Sequence, residues 1–240
     1  MLFWTKKKKI VVDAFTDNEN IAKYPISPTT KNLPEWYKKL KPNHRINDDG
    51  HELLVSTFKR CDGMIDLISN TFTFPMWADL NIIVDDKGFF SWKYPASPYN
   101  MGMEQHPSYQ IQGAFDPLVH AKIMSPWFLR EKTGVQFYQT QAFYSFNEFG
   151  GNVLIPPGVV NFKHQVGTNI NTFLHRQRQY FFNAGQPMMY LIPMTENEVE
   201  IKTHVISQQE WIKIGKSSAP NKFMDAYKNR KKLTCPVTGK

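Results

Sequence analysis

From residue 118 onward, apolar stretches and turn signals follow one another roughly every ten residues, the rhythm of strands in an antiparallel sandwich or barrel. "AKIMSPWFLREK" and "TGVQFYQTQAFYS" read as strands around the turn "REKTG". "GGNVLIPPGVVNF" reads as an apolar strand, a tight Pro-Pro-Gly turn and another apolar run. "NINTFLHRQRQYFFNAGQPMMYLIPM" holds two strands and the turn "NAGQP", and "NEVEIKTHVIS" alternates Val, Ile and Val with polar residues. The expected fold is therefore mainly β: an antiparallel β-sandwich or barrel, jelly-roll or β-clip-like, with a few short helices.

The first half fits the same plan less regularly. "KIVVDAFT" is β-branched and apolar and reads as a first strand. "DNENIAKYP" begins with capping residues and stops at Pro25, which allows only a short helical turn. Pro34 and Pro42 bracket a short helix at 34–40, where Leu33, Trp36, Tyr37 and Leu40 are spaced to bury one face. "NHRINDDGHE" reads as a polar, turn-forming loop. The segment 61–69 is a further helix candidate. Strands are expected near 72–75, 79–84 and 88–93, the last two joined through "DDKG". "PASPYNMGMEQHPSYQIQGAFDP" reads as a long ordered loop, and Ser207 caps a short helix at 207–213. No repeat or low-complexity linker interrupts the chain. The expected organisation is one domain in three stretches: an N-terminal strand and helix extension (1–60) packed on a β-rich body (61–215), then a basic tail (216–240).

Charge sharpens the last boundary. The formal net charge is +8. Yet Lys6 to Lys9 and seven Lys or Arg after residue 215 carry the excess, against the single acid Asp225 in those stretches. With these set aside, 18 basic and 20 acidic residues remain. The basic character thus belongs to two tails rather than to a folded face. Such tails are usually solvated, though they can bind phosphates and so a nucleic acid. "MLFWTKKKK" does not have the order of a secretory signal, and no run of 18 apolar residues is present for a membrane span. Cys61 and Cys235 form no CxxC pair, which suits a reducing compartment.

The stretch "EQHPSYQIQG" gathers the most chemistry: Glu104, His106 and Gln110 beside a proline. His106 and Gln110 either brace a loop or line a pocket, and His120 is the residue expected to join them there. "RQRQY" places Arg176 and Arg178 on one face of a strand, where they can grip a carboxylate or phosphate. None of the seven histidines begins a His-x-Asp/Glu or His-x-His metal motif. No metal site is expected, and a dispersed set from His106, His120 and His175 is the alternative. Between residues 100 and 195 the only acids are Glu104, Asp116, Glu131 and Glu148, and two of these sit in turns, a poor supply for hydrolysis. Nucleophile elbows and phosphate loops are missing. No catalytic residue is assigned and no cofactor is indicated. In "QFYQTQAFY", Phe137, Gln139, Gln141 and Phe143 share one strand face, mixed enough to line a polar cleft or a subunit contact.

The order "SPWFLRE…TGV", "NVLIPPGVVNF", "FFNAGQPMMYLIPM", "VEIKTHVISQQEW" resembles an uncharacterised protein family of T4-like cyanophages and other marine tailed phages, with related domains of unknown function in bacteria. "VVDAFT", "YPI", "LPEWYKKL", "KRCDGMIDL", "PMWADL" and "QHPSYQ" extend the likeness over nearly the whole chain. The resemblance brings no activity. It implies a phage-encoded accessory protein made in a host bacterial cytoplasm and, in one version, carried in the virion. A β-rich binding or interaction module, with a protein partner or a second copy of itself, is the expected function. The alternative is an enzyme: a metal-dependent tailoring oxygenase, or a nucleotide-processing protein similar to β-clip dUTPases. Against the second, Asn161 stands where an activating aspartate is needed.

Overall fold

A computed structural model describes residues 9–95, 102–107, 118–216 and 237. The fold is mainly β, with several antiparallel sheets and a few short helices in a sandwich-like arrangement. The first elements are β1 (Ile10–Thr16), α1 (Glu19–Ala22), β2 (Ser27–Pro28), α2 (Glu35–Lys39), β3 (Asn43–Asp48) and β4 (His51–Ser56). Then come α3 (Asp62–Ser69), β5 (Phe72–Pro75), β6 (Leu80–Val84), β7 (Phe90–Lys93) and β8 (Met103–Gln105). β9 (Val119–Arg130), β10 (Gln136–Gln141), α4 (Glu148–Gly151) and β11 (Gly158–Asn161) follow. The described chain closes with β12 (Gly167–Leu174), β13 (Arg178–Phe182), β14 (Pro187–Pro193), β15 (Val199–Val205) and α5 (Gln208–Lys216).

One sheet runs β12-β9-β1-β15, with β8 also on β9. A second runs β11-β10-β14-β5-β2, a third β13-β6-β7, and among the described residues β3 and β4 pair only with each other. One pairing departs from the antiparallel expectation: β1 lies parallel to β15, Ile10 opposite Val199 through Thr16 opposite Val205. β1 also pairs antiparallel with β9, so the first strand is interior to its sheet.

The three larger sheets share one core. Alternation decides what enters it: Val12 and Ala14 of β1, and Val119, Ala121 and Ile123 of β9, point inward. They meet Phe74, Phe137 and Leu191 of the second sheet and Ile82, Tyr180 and Phe182 of the third. Trp77 and Trp127 are the largest side chains fully enclosed, each worth about 3 kcal/mol of transfer free energy. A smaller cluster covers the opposite face of the first sheet. There α5 lays Trp211 and Ile214 against Phe15, Phe128 and Val166. Ser207 caps this helix reciprocally with Glu210: the Glu210 N–H donates to Ser207 Oγ and the Ser207 N–H to Glu210 Oε2. Gly215 allows the close approach, since a Cβ there would lie 2.8 Å from Phe128 Cζ.

The helices at 35–39, 62–69 and 208–216 lie where proline spacing, periodicity and capping put them. Several local expectations fail. Within "PASPYNMGMEQHPSYQIQGAFDP", read as a loop, Met103–Gln105 form β8, and the strand expected in "GGNVLIPP" is only an isolated bridge from Leu154 to Phe173. "NHRINDDGHE" is not a loop: it is most of a hairpin, β3 to β4, turning through Asp49 (φ +48°) and Gly50 (φ +79°). Two consecutive positive φ values are the mark of a type I′ turn, for which Asp-Gly is suited. Almost every residue of both strands is exposed, so no buried face wrote alternation into the sequence. "NINTFLHRQRQYFFNAGQPMMYLIPM" holds three strands rather than two, because β12 ends at Leu174 and β13 begins at Arg178. Gln177, at φ +52°, turns the chain between them.

The turn "REKTG" joins two sheets rather than two paired strands. β9 ends in the first sheet and β10 begins in the second. Glu131, 2% exposed, organises the crossing. Its carboxylate accepts the N–H groups of Thr133, Gly134 (2.6 Å) and Val135 (3.1 Å). No helix among the described residues is long and apolar enough to cross a membrane.

Candidate ligand-binding site

β8 pairs with β9 so that Met103 opposes Ile123 and Glu104 opposes Lys122. Met103 and Ile123 enter the core, so Glu104, His120 and Lys122 fall on the other face of the sheet. Lys122 is ion-paired with Glu104; their side chains are 18% and 53% exposed. His106 follows β8 directly and extends the ladder, donating its N–H to His120 O at 3.0 Å. The two imidazoles stack at 4.4 Å and 21°. His120 stacks in turn on Phe173 at 4.8 Å and 20°, the residue opposite it on β12.

Asn171 Oδ1 lies 3.3 Å from His120 Nε2. A carbonyl oxygen only accepts, so in this contact Nε2 carries the proton and Nδ1 is left as an acceptor. Nδ1 is buried without a hydrogen-bond partner among the described residues. Burial pushes the His120 pKa down, the charge of His106 adds to this, and the Asn171 contact opposes it.

In front of this column lies a cavity of about 310 Å³. His106 and Lys122 form one side, with Thr168, Asn169 and Asn171 from β12. Gln139 of β10, Val159 and Val160 of β11, and Gln165 close it from the second sheet and its loop. Thr168 is 2% exposed, and its hydroxyl is buried without a hydrogen-bond partner among the described residues. Gly158 makes room for Gln139: a Cβ there would stand 3.1 Å from the Gln139 amide nitrogen. A larger cavity of about 510 Å³ lies beside Thr71, whose hydroxyl is also buried and without a partner among the described residues. Its rim is acidic, with Glu196 and Glu198, and no histidine of the described residues lines it.

The residues singled out in the sequence scatter. His106 and His120 meet in the stacked pair, while Gln110 lies outside the described residues. Arg176 and Arg178 do not share a strand face. Arg176 is in the turn before β13, its guanidinium beside Gly88. Arg178 opens β13, 3.6 Å from Glu148 and over the Tyr180 ring at 5.3 Å. His175 is exposed in the same turn, its N–H donating to Tyr180 Oη at 2.6 Å. No group of three His, Cys, Asp or Glu placed to hold a metal occurs among the described residues.

Gln141, on the mixed face of β10, is a brace. Its amide donates to Phe149 O at 2.6 Å and accepts from Ile155 N–H at 3.0 Å. Asn161, at the position where β-clip chemistry needs a carboxylate, ties its turn: it donates to Gly134 O and accepts from Lys163 N–H. Lys122, Thr168, Asn169 and Asn171 were not anticipated. "HAKI" and "TNIN" do carry the signal, polar residues at every second position of apolar strands. Only the pairing of β9 with β12 brings those two faces together.

Four side-chain amides line the cavity, with Asn171 Oδ1 engaged by His120 and the Gln165 amide donating to Gly167 O; one lysine adds charge already balanced by Glu104, and no carboxylate of the described residues lines the wall. No protein-family model matches the chain, and no curated protein is similar enough to match it.

Proposed function

We propose that this is a phage-encoded β-rich binding module whose ligand sits in the cavity between His106, Lys122, Thr168 and Gln139. The observation that carries the reading is a cavity of about 310 Å³ rimmed by the amides of Gln139, Gln165, Asn169 and Asn171 beside the His106 ring. Paired donors and acceptors on Gln139, Gln165, Asn169 and Asn171 suit a small hydroxyl-rich molecule. The stacked His106 ring supplies a flat wall. A ligand of this class is held by many neutral hydrogen bonds rather than by one strong charge.

Thermal denaturation of the full chain in the presence of mono- and disaccharides, nucleosides and small carboxylates tests this. A hydroxyl-rich compound should raise the midpoint, since ligand at 100 times Kd adds about 2.7 kcal/mol. Asn171→Ala and Lys122→Ala should each remove the rise. No stabilising compound in the panel, or a rise that survives both substitutions, overturns the proposal. The phage origin has its own test: mass spectrometry of purified virions and of infected-host lysate, where the protein should be found in one or the other.

A further inference from the structure

The β3–β4 hairpin is a second, independent feature. Among the described residues it pairs with no other sheet, and residues 44–56 are all exposed. Register sorts its side chains. Ile46 opposes Leu53, and Val55 lies two residues beyond Leu53, so these three share one face. They are 38%, 44% and 37% exposed. On the other face Leu54 is 65% exposed beside the Arg45–Glu52 ion pair. A two-stranded ribbon with no packed face is marginal in water.

Its charges are polarised along its length. The tip carries Asp48, Asp49 and Glu52, against Arg45 alone. The base is basic. Lys41 O accepts the Thr57 hydroxyl, Lys59 Nζ reaches Lys38 O at 3.2 Å, and Arg60 holds Asn43 at 3.0 Å. Lys39 is exposed on the adjoining helix; of the nearby acids, Glu35 is bound by Lys38, and Asp62 opens α3.

We infer that the hairpin is a homodimerisation arm, docking against the same arm of a second copy. An isologous two-fold pairing can bring the apolar faces together with the arms parallel or antiparallel, and the charge gradient selects the antiparallel one, since the parallel one would set tip against tip. Each acidic tip then lies against the basic base of the other arm. Ile46, Leu53 and Val55 from both copies close over one another. A second copy satisfies both the apolar face and the lengthwise charge gradient, because the gradient is complementary to its own inverse.

The test is sedimentation of the full chain over a range of concentrations. The unsubstituted protein should be a dimer that weakens as salt rises, since exposed charge pairs are screened. Leu53→Glu should leave a monomer with unchanged far-UV circular dichroism. Reversing the tip (Asp48→Lys with Asp49→Lys) or the base (Lys41→Glu with Lys59→Glu) should each weaken association at least ten-fold. Reversing both in one chain should restore it. That restoration separates charge pairing from misfolding, which a second set of substitutions would not repair. A monomer at every concentration, or a dimer indifferent to Leu53→Glu and to both reversals, overturns the inference.

Discussion

The sandwich body and the β3–β4 arm are built from the same element, the antiparallel strand pair, and they differ in what their side chains meet. In the body, β9 buries every second residue against two other sheets and its Trp127 is fully enclosed. In the arm, Leu53, Leu54 and Val55 all remain exposed, on its two faces. Both are held by antiparallel ladders, the arm's without a break and that of β9 with β12 interrupted once, between Gly167 and Asn169. The difference shows where stability resides: ladder hydrogen bonds replace bonds to water and contribute little net, while enclosed apolar area contributes most. The body should therefore unfold as one cooperative unit, with the arm contributing almost nothing to it.

The sharpest break in that contrast is Trp127→Ala. It removes a fully enclosed indole from the shared core and should cost about 3–5 kcal/mol, read as a lower urea midpoint with an unchanged slope. Next is Glu131→Ala. Three backbone N–H groups that cross from one sheet to the other would lose their acceptor, at a cost of about 2–3 kcal/mol. A loss below 0.5 kcal/mol by the same measurement (the size of an ordinary surface change) would mean the crossing does not depend on this carboxylate.

These two residues also mark how far the sequence was readable. Trp127 sits in a plainly apolar strand, and the strand rhythm of the second half follows directly from one buried face per sheet. Glu131 was recognisable as a turn residue, but its carboxylate's hold on three amides depends on β9 and β10 belonging to different sheets. The arm was misread because nothing buries it, so the alternation that betrays a strand was never imposed; only Asp49-Gly50 gave it away. Of the cavity and the ring stacked behind it, His106 and His120 were legible as chemistry. Lys122, Thr168, Asn169 and Asn171 were not, because their convergence comes from a register between strands about 50 residues apart, as His120 and Asn171 are. Neither Arg176 nor Arg178 lines that cavity: Arg176 lies beside Gly88 and Arg178 reaches Glu148, both on the side of the third sheet.

Acid should affect the ring stack behind the cavity in a defined direction. The folded-state pKa of His120 lies below its ordinary 6.5, chiefly through burial. The unfolded chain therefore binds the proton more readily in the window just below 6.5, and stability falls as pH drops through it. Above 6.5 the contribution is complete. His120→Phe keeps a ring between His106 and Phe173 and removes the titration. Denaturation midpoints from pH 7.5 down to 5 should fall less steeply in this variant. Parallel profiles would assign the acid sensitivity elsewhere. Smaller still is Thr168→Val. Most buried substitutions destabilise, but this one replaces an unsatisfied hydroxyl with a methyl of nearly the same shape. It should leave the midpoint unchanged or raise stability by up to about 1 kcal/mol, while weakening any ligand that used the hydroxyl.

The smallest expected effect on global stability belongs to the arm, and it comes from a severe local insult. Gly50 sits at φ +79° with no atom within 4 Å of a Cβ built on it. Space is therefore not the constraint; backbone conformation is. A β-branched residue strongly disfavours positive φ, so Gly50→Val should open the turn and release the hairpin. Were the arm part of the cooperative unit, such a change would lower the unfolding midpoint by several kcal/mol. Because its faces are exposed and it pairs with no other sheet, the intrinsic stability of the body should move by less than about 0.5 kcal/mol, measured at protein concentrations low enough to be monomeric. Amide exchange should become fast from 44 to 56 and stay slow in β9 and β12. At high concentration the same variant should sediment as a monomer, since an arm without its turn no longer presents Ile46, Leu53 and Val55 on one face.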